Sequence, residues 1–307
     1  MAKKSEVYEG RRNNRISNLV KAMQGWNDQL TVSTSTPSGK FGRVVYIDTG
    51  GVRIDGSQLD VEFNIPFDDD TEANEASITI YNLSSHTVSM IKSNASITVT
   101  AGHTGDTGIV FSGYISKVNT KWSGNDKVTT ISAIDYINLK ERDVESISYN
   151  SGVKASYILR DLVGRLGLPI AVFQTRRDYT YKDGASVSGG LMAAVKQYAE
   201  VCGVSAYINK SKIYVRHLSD GDDIGFTINT DTGLVDSPEE FTEEVQSEDY
   251  TDTVHGLKFK ILLEHRITTA SVITLKSRNF SGKFRVREGN HVCSESDFYT
   301  EVTVIDG

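Results

Sequence analysis

Six histidines (His86, His103, His217, His255, His265 and His291), two cysteines (Cys202 and Cys293) and the run Asp68-Asp69-Asp70 are the residue types that could carry metal, nucleophilic or acid–base chemistry. Their spacing builds no recognised centre. There is no H-E-x-x-H and no H-x-E joined to P-C-x-x-C, the patterns that bring two or three ligands onto one zinc ion. His255 and His265 with Glu264 make only a thin zinc set. A calcium loop of the EF-hand kind needs acids at alternate positions, a glycine and a terminal Glu, none of which surrounds Asp68. A solvated loop at a strand end is the expectation there. Cys202 has no base beside it and the cysteines form no C-x-x-C, so Cys202 reads as a core thiol and both as reduced. G-x-S-x-G, P-loop and G-x-G-x-x-G signatures are absent, and Gly50-Gly51 and Gly189-Gly190 read as turn and helix-start glycines. Carboxylate pairing for glycoside cleavage depends on distances in space that a sequence does not carry. The reading is a non-enzymatic chain with no cofactor and no metal.

Charge is more informative than chemistry. The net charge is −7, so no overall basic field attracts nucleic acid. Near the amino terminus the sign reverses: Lys3, Lys4, Arg11, Arg12, Arg15 and Lys21 stand against Glu6 and Glu9. Ile16, Leu19, Val20 and Met23 follow at helical spacing. The bland reading is a solvated terminus with a short docking helix. The sharper one is an arm, with Arg11, Arg12, Arg15, Ile16 and Leu19 as contacts, that grips a neighbouring subunit or an acidic partner. Ser219 to Asp252 holds twelve Asp or Glu and no Lys or Arg, whereas Lys258 to Arg287 holds eight Lys or Arg against Glu264 alone. Such blocks are solvated faces or a subunit interface; Lys276, Arg278 and Lys283 are the candidates for the latter. No run approaches the ~20 apolar residues of a membrane span, and the amino terminus lacks a secretion signal's apolar core.

The elements that position these residues are mostly strands. Glu75 to Asp135 alternates apolar and polar residues in four segments, marked by Ile78 and Ile80, by Ile97, Val99 and Ala101, by Ile109, Phe111, Ile115 and Val118, and by Val128, Ile131 and Ala133. Gly102 to Asp106 and Ser123 to Asp126 supply the turns. Phe41 to Thr49 is an earlier strand, and Leu59 to Ile65 another that Pro66 should end. Thr31 to Lys40 is a Ser/Thr/Pro/Gly linker. Beyond Ile137 the period changes: a helix is expected over Ser151 to Leu166, with Ser151 as N-cap and Gly167 as C-cap, and a second over Ser188 to Cys202, capped by Gly203. A hairpin turning at Asn209-Lys210-Ser211-Lys212 follows.

ASITIYNLS, ITVTAGHTGDTGIVFSGYISKVN and TTISAID together resemble the first barrel domain of phage tail baseplate hub proteins. That group includes the late control protein D family and the trimeric hub of contractile tails. Tyr81-Asn82-Leu83, Phe111-x-Gly113-x-Ile115 and Asp135 carry the likeness. It implies a mainly β fold with an α+β insert, two tail-tube-like antiparallel barrels separated by a helix–helix–hairpin domain. The boundaries read as 1–36 (basic arm and linker), 37–145 (first barrel), 146–222 (middle domain) and 223–307 (second barrel). A weak repeat agrees: LKFKILLEHR, VITLKSRNFSGKFRVREGNHV and FYTEVTVID run in the same order as the first barrel's strands. The resemblance implies a homotrimeric hub in the virion's tail baseplate, assembled in the host cytoplasm, that matches a sixfold tail tube to a threefold spike. Its implied partners are the tail tube protein, the spike protein, the tape-measure protein and other baseplate proteins. A membrane or specific nucleic-acid role is not implied. The alternatives are a receptor- or carbohydrate-binding tail-tip module and the hub-like part of a tail-associated hydrolase.

Overall fold

β-branched residues alternating with polar ones drive most of this chain into pleated, half-buried strands. The computed structural model describes residues 40–70, 73–135, 143–246 and 251–306. Arg11, Arg12, Arg15, Ile16 and Leu19, and with them the expected arm, lie outside the described residues. The first stretch contains β1 (Arg43–Thr49), β2 (Val52–Asp55), β3 (Val61–Phe67), β4 (Glu75–Tyr81), helix α1 (Ser85–Met90), β5 (Ser96–His103), β6 (Asp106–Ser123) and β7 (Asp126–Ile134). A middle module follows, with β8 (Asp143–Tyr149), β9 (Val153–Lys154), α2 (Ala155–Arg165), β10 (Ile170–Phe173), β11 (Thr180–Tyr181), β12 (Ala185–Gly190), α3 (Leu191–Val201), β13 (Ser205–Asn209) and β14 (Lys212–Arg216). The last stretch is β15 (Asp222–Ile228), β16 (Glu239–Gln246), β17 (Thr251–Leu262), β18 (Ser271–Lys276), β19 (Ser281–Cys293) and β20 (Phe298–Asp306). The fold is thus mainly β with an α+β insert.

The weak repeat in sequence is an ordered repeat in topology. In the first stretch the strands lie side by side as β3-β4-β7-β6-β5, and in the last as β16-β17-β20-β19-β18. Every pairing within both sets is antiparallel. Even the irregularity recurs: the β6–β7 ladder slips between Ile115 and Lys117, and the β19–β20 ladder between Val286 and Glu288. Each slip leaves one extra residue, Ser116 or Arg287, a bulge that bends the long strand. The copies diverge at the sixth strand, where β1 lies antiparallel to β5 but β15 lies parallel to β18.

These copies are not separate sheets. Gly289–Cys293 of β19 pairs antiparallel with Phe63–Phe67 of β3, so one thirteen-stranded sheet runs through both. Pro66, expected to end its strand, sits inside β3 opposite Asn290. It lies beyond Asn64, the last residue paired to β4, where a strand can dispense with an N–H donor. The core of the first copy, built on Ile47, Ile78, Ile97, Ile115 and Ile131, takes in Leu263, Cys293 and Phe298 from the last stretch. Reciprocally, Phe67 belongs to the core of the second copy. Each such side chain contributes roughly 1.5–3 kcal/mol by leaving water. Inward alternation also fails in the first half of β6. Between Val99 and Thr100 the β5–β6 register shifts, turning Val110 and Phe111 inward and leaving Ile109 exposed.

In the middle module, Ala155, Ile158, Leu159, Leu162 and Val163 form the buried stripe of α2. The helix starts at Ala155, not Ser151, because Gly152 (φ 83°) belongs to a turn and β9 intervenes. Its cap comes from afar: Asp178 accepts from the Ser156 N–H at 3.0 Å and from the Ser156 hydroxyl at 2.7 Å. Likewise α3 starts at Leu191, since Ser188 to Gly190 extend β12 along β8. Gly167 and Gly203 do end the helices, at φ 71° and 67°.

Candidate assembly interface

The two copies of the repeat meet along a seam built from charge as well as strand pairing. Arg285 of β19, wholly buried, places Nη1 2.7 Å from Asp69 Oδ2 and donates from Nε to the Asp220 carbonyl at 3.0 Å. Arg287, the bulge residue, approaches Asp69 Oδ1 at 3.7 Å. The acidic run is therefore not simply a solvated loop. Asp69 is held between two arginines, while burial and the neighbouring Asp70 push Asp68 up to about 7. Burial likewise raises Asp135 to about 7, although Asn74 Nδ2 donates to it at 3.3 Å.

A second cluster lies where the β5–β6 turn touches the loop after β17. Glu264, 1% exposed, accepts from Lys40 Nζ at 3.0 Å and from Arg266 Nε at 2.6 Å. Arg266 reaches on to Asp106 at 2.6 Å, tying the two copies together. Burial alone would raise the Glu264 carboxyl, but the bonds from Arg266 and Lys40 hold it down to about 2. Lys40, which the composition placed in a linker, is thus a buried anchor that also donates to the Leu262 and Leu263 carbonyls. His265 packs its ring against Gly108, where a Cβ would overlap it.

The middle module is pinned to the same region. Lys210 and Ser211 form its hairpin turn with φ 47° and 62°, the two-residue geometry expected for a primed turn. Lys210 Nζ donates to the Ile109 carbonyl at 2.8 Å and Ser211 Oγ to the Asp135 carbonyl at 3.1 Å. Burial lowers the Lys210 ammonium to about 8.

Lys276, Arg278 and Lys283 come together at the β18–β19 hairpin and are exposed. Lys283 Nζ contacts Asp223 Oδ2 at 2.6 Å, so part of the acidic block neutralises part of the basic block within the chain. Solvent screens an exposed pair of this kind, so it adds little to stability. His255 stands exposed on β17, seven residues of strand before Leu262, on the order of 20 Å from the His265 loop. Among the described residues no three His, Cys, Asp or Glu side chains converge as a metal site, and no helix is long and apolar enough to cross a membrane. Cys202 and Cys293 are buried, and burial pushes both thiols up to about 11. Sequence reasoning missed Lys40, Asp69, Asp106 and Lys210, because each acts on a group more than a hundred residues away.

A family model described as baseplate hub gp41 matches residues 75–281. No curated protein sequence matches the chain. The fold is similar to that of a tail protein from Neisseria meningitidis MC58, with TM-score 0.61 and 12% identity over 87% of this chain and 97% of the other. A 43 kDa tail protein of prophage MuSo2 from Shewanella oneidensis is similar at TM-score 0.61 and 7% identity, over 86% and 97%. The E. coli c3393 protein, a component of the type VI secretion system, is similar at TM-score 0.58 and 10% identity, over 85% and 76%.

Proposed function

The chain belongs to the baseplate hub gp41 family, and from that premise we propose that it is the structural hub of a phage tail or phage-tail-like particle. Three copies form a collar whose bore continues the tail-tube channel. One face meets the sixfold tail tube protein, the other the threefold spike protein, and other baseplate proteins surround it. One observation carries the reading: the five-strand order and its bulge occur twice in one chain. Three chains then present six similar units around one axis, which lets a threefold object meet a sixfold one. A net charge of −7 suits a channel through which DNA must pass without sticking. The exposed Lys276–Lys283 hairpin is a contact to a neighbour in the collar, and the basic arm from Arg11 to Lys21 meets the tape-measure protein. Light scattering on the purified protein, alone and with its spike, tests the collar. A trimeric mass and a ring with six similar lobes are expected. A monomer under both conditions would overturn the reading. Tails that assemble normally after deletion of residues 1–30 would remove the arm from it.

A further inference from the structure

Among the described residues the large sheet leaves several strand edges open, those of β2, β15, β16 and the distal half of β6, and the repeat indicates what fits the last two. β6 pairs with β5 only as far as Tyr114, whereas its partner β7 runs on to Ser123. From Lys117 to Ser123 the other edge of β6 carries no strand among the described residues. In β19 the corresponding edge, Gly289 to Cys293, is occupied by β3. The counterpart of β3 in the second copy is β16, which pairs with β17 on one side and with no strand on the other among the described residues. We propose that β16 of one chain pairs antiparallel with the distal half of β6 in a second copy. The joint between chains then repeats the joint that β19 and β3 make within a chain. This rests on the collar reading and adds its contact surface.

The two bulges fix the register. Lys117 and Glu288 are the first paired residues past them, opposite Ser132 and Thr303. Following the ladders outward makes Ile78 correspond to Phe259 and Asn64 to Glu239. The in-chain pair Val292↔Asn64 becomes Lys121↔Glu239 between chains, and His291↔Ile65 becomes Thr120↔Glu240. Opposite charges thus face each other at a directly opposed position. Both Lys117 and Lys121 are exposed on this stretch of β6, and Glu239 and Glu240 are exposed on β16. Self-pairing of either edge would set like charges together, so the contact is head-to-tail, the kind that closes a ring. Trp122 is 72% exposed and Val235 55%, and this register brings them to the same end of the joint. An open, apolar-tipped edge would otherwise template aggregation.

Cysteine cross-linking of the full chain tests this. Of two successive opposed pairs in an antiparallel ladder, one is non-hydrogen-bonded and close enough for a disulfide. Chains with Lys121→Cys and Glu239→Cys, or with Thr120→Cys and Glu240→Cys, are oxidised mildly. At least one pair should give a covalent trimer, and mixing singly substituted chains should give a covalent dimer. The off-register pair Lys121→Cys with Thr242→Cys should give neither. Lys121→Glu should weaken assembly about fivefold or more, and adding Glu239→Lys should restore it. Trimers by light scattering without in-register cross-links, or with off-register ones, overturn the joint and leave the collar standing. Monomers with and without the spike overturn both.

Discussion

Replacing Glu264 by Gln keeps the shape of the side chain and removes its charge, which makes it a direct probe of the seam. The carboxylate is 1% exposed and faces Lys40, whose side chain is 5% exposed. Arg266 keeps a partner in Asp106 and is 36% exposed, so it tolerates the change. Lys40 loses the one carboxylate it touches among the described residues and is left with two carbonyls at 3.3 Å and the more distant charge of Asp106. Removing one member of a buried ion pair costs about 3–5 kcal/mol. With Arg266 still satisfied, the lower end, about 3 kcal/mol, is expected. At roughly 2–4 °C per kcal/mol this lowers Tm by about 6–12 °C. Burial already lowers the Lys40 pKa, so the stranded amine can discharge, and the deficit should shrink as pH rises. Thermal and urea unfolding at pH 7 measure the effect. Lys40→Met combined with Glu264→Gln should recover at least ~1 kcal/mol, since no uncompensated cation remains. A single-variant loss below ~1 kcal/mol, or a double variant no better than the single, would refute the argument.

Titration gives a second test with two opposing signs. Asp68 and Asp135, raised from 3.8 to about 7 in the fold, contribute stability that is complete below pH 3.8 and is lost as pH climbs through 7. Glu264, lowered from 4.5 to about 2, contributes stability present above 4.5 and lost as pH falls toward 2. With two groups losing stability above 3.8 and one gaining it only up to 4.5, these three groups place the optimum near pH 4, and Asp135→Asn should raise Tm at pH 8 and flatten the alkaline limb; an unchanged limb would exclude Asp135 as its source. Gly108→Val should destabilise by several kcal/mol, because any Cβ there overlaps the His265 ring; adding His265→Ala should relieve part of the loss in the same unfolding assay. Both thiols should react with a disulfide reagent at pH 7 far more slowly in the native protein than in urea, given their burial and raised pKa. Rapid native reaction of either would contradict its placement.

What could be read in the sequence was whatever the local period carries. Ile78, Ile97, Ile115 and Ile131 alternate because one face of each strand is buried, and all four are core residues. The repeat was legible for the same reason, since equivalent ladders demand equivalent alternation. Bulges escaped, because one extra residue flips a side chain without altering composition; hence Ile109 read as inward and Val110 went unmarked. β8 and β12 escaped too: Ser188, Gly189 and Gly190 read as the start of a helix, and only their partner strand makes them extended. Asp178 replaced Ser151 as the cap of α2 because a carboxylate from a distant loop reaches Ser156. Lys40 and Asp69 looked like linker and loop, and their roles come from Glu264 and Arg285, groups that no window of sequence contains.

The distance along the chain between Val61 and Cys293 has a consequence for synthesis. Cys293 Sγ meets the Val61 carbonyl across 232 positions. A ribosome adding 5–20 residues per second needs on the order of 10–50 s to cover that interval. Throughout it the early β-unit waits without Leu263, Cys293 and Phe298 to complete its interior, and with one flank of β3 bare. Such distant contacts also form slowly once available, because loop closure comes before any gain from pairing. Nascent chains should thus be at their stickiest just before the final hairpin emerges, so a cell making this protein must hold that half-built sheet apart from its copies until the last two strands arrive.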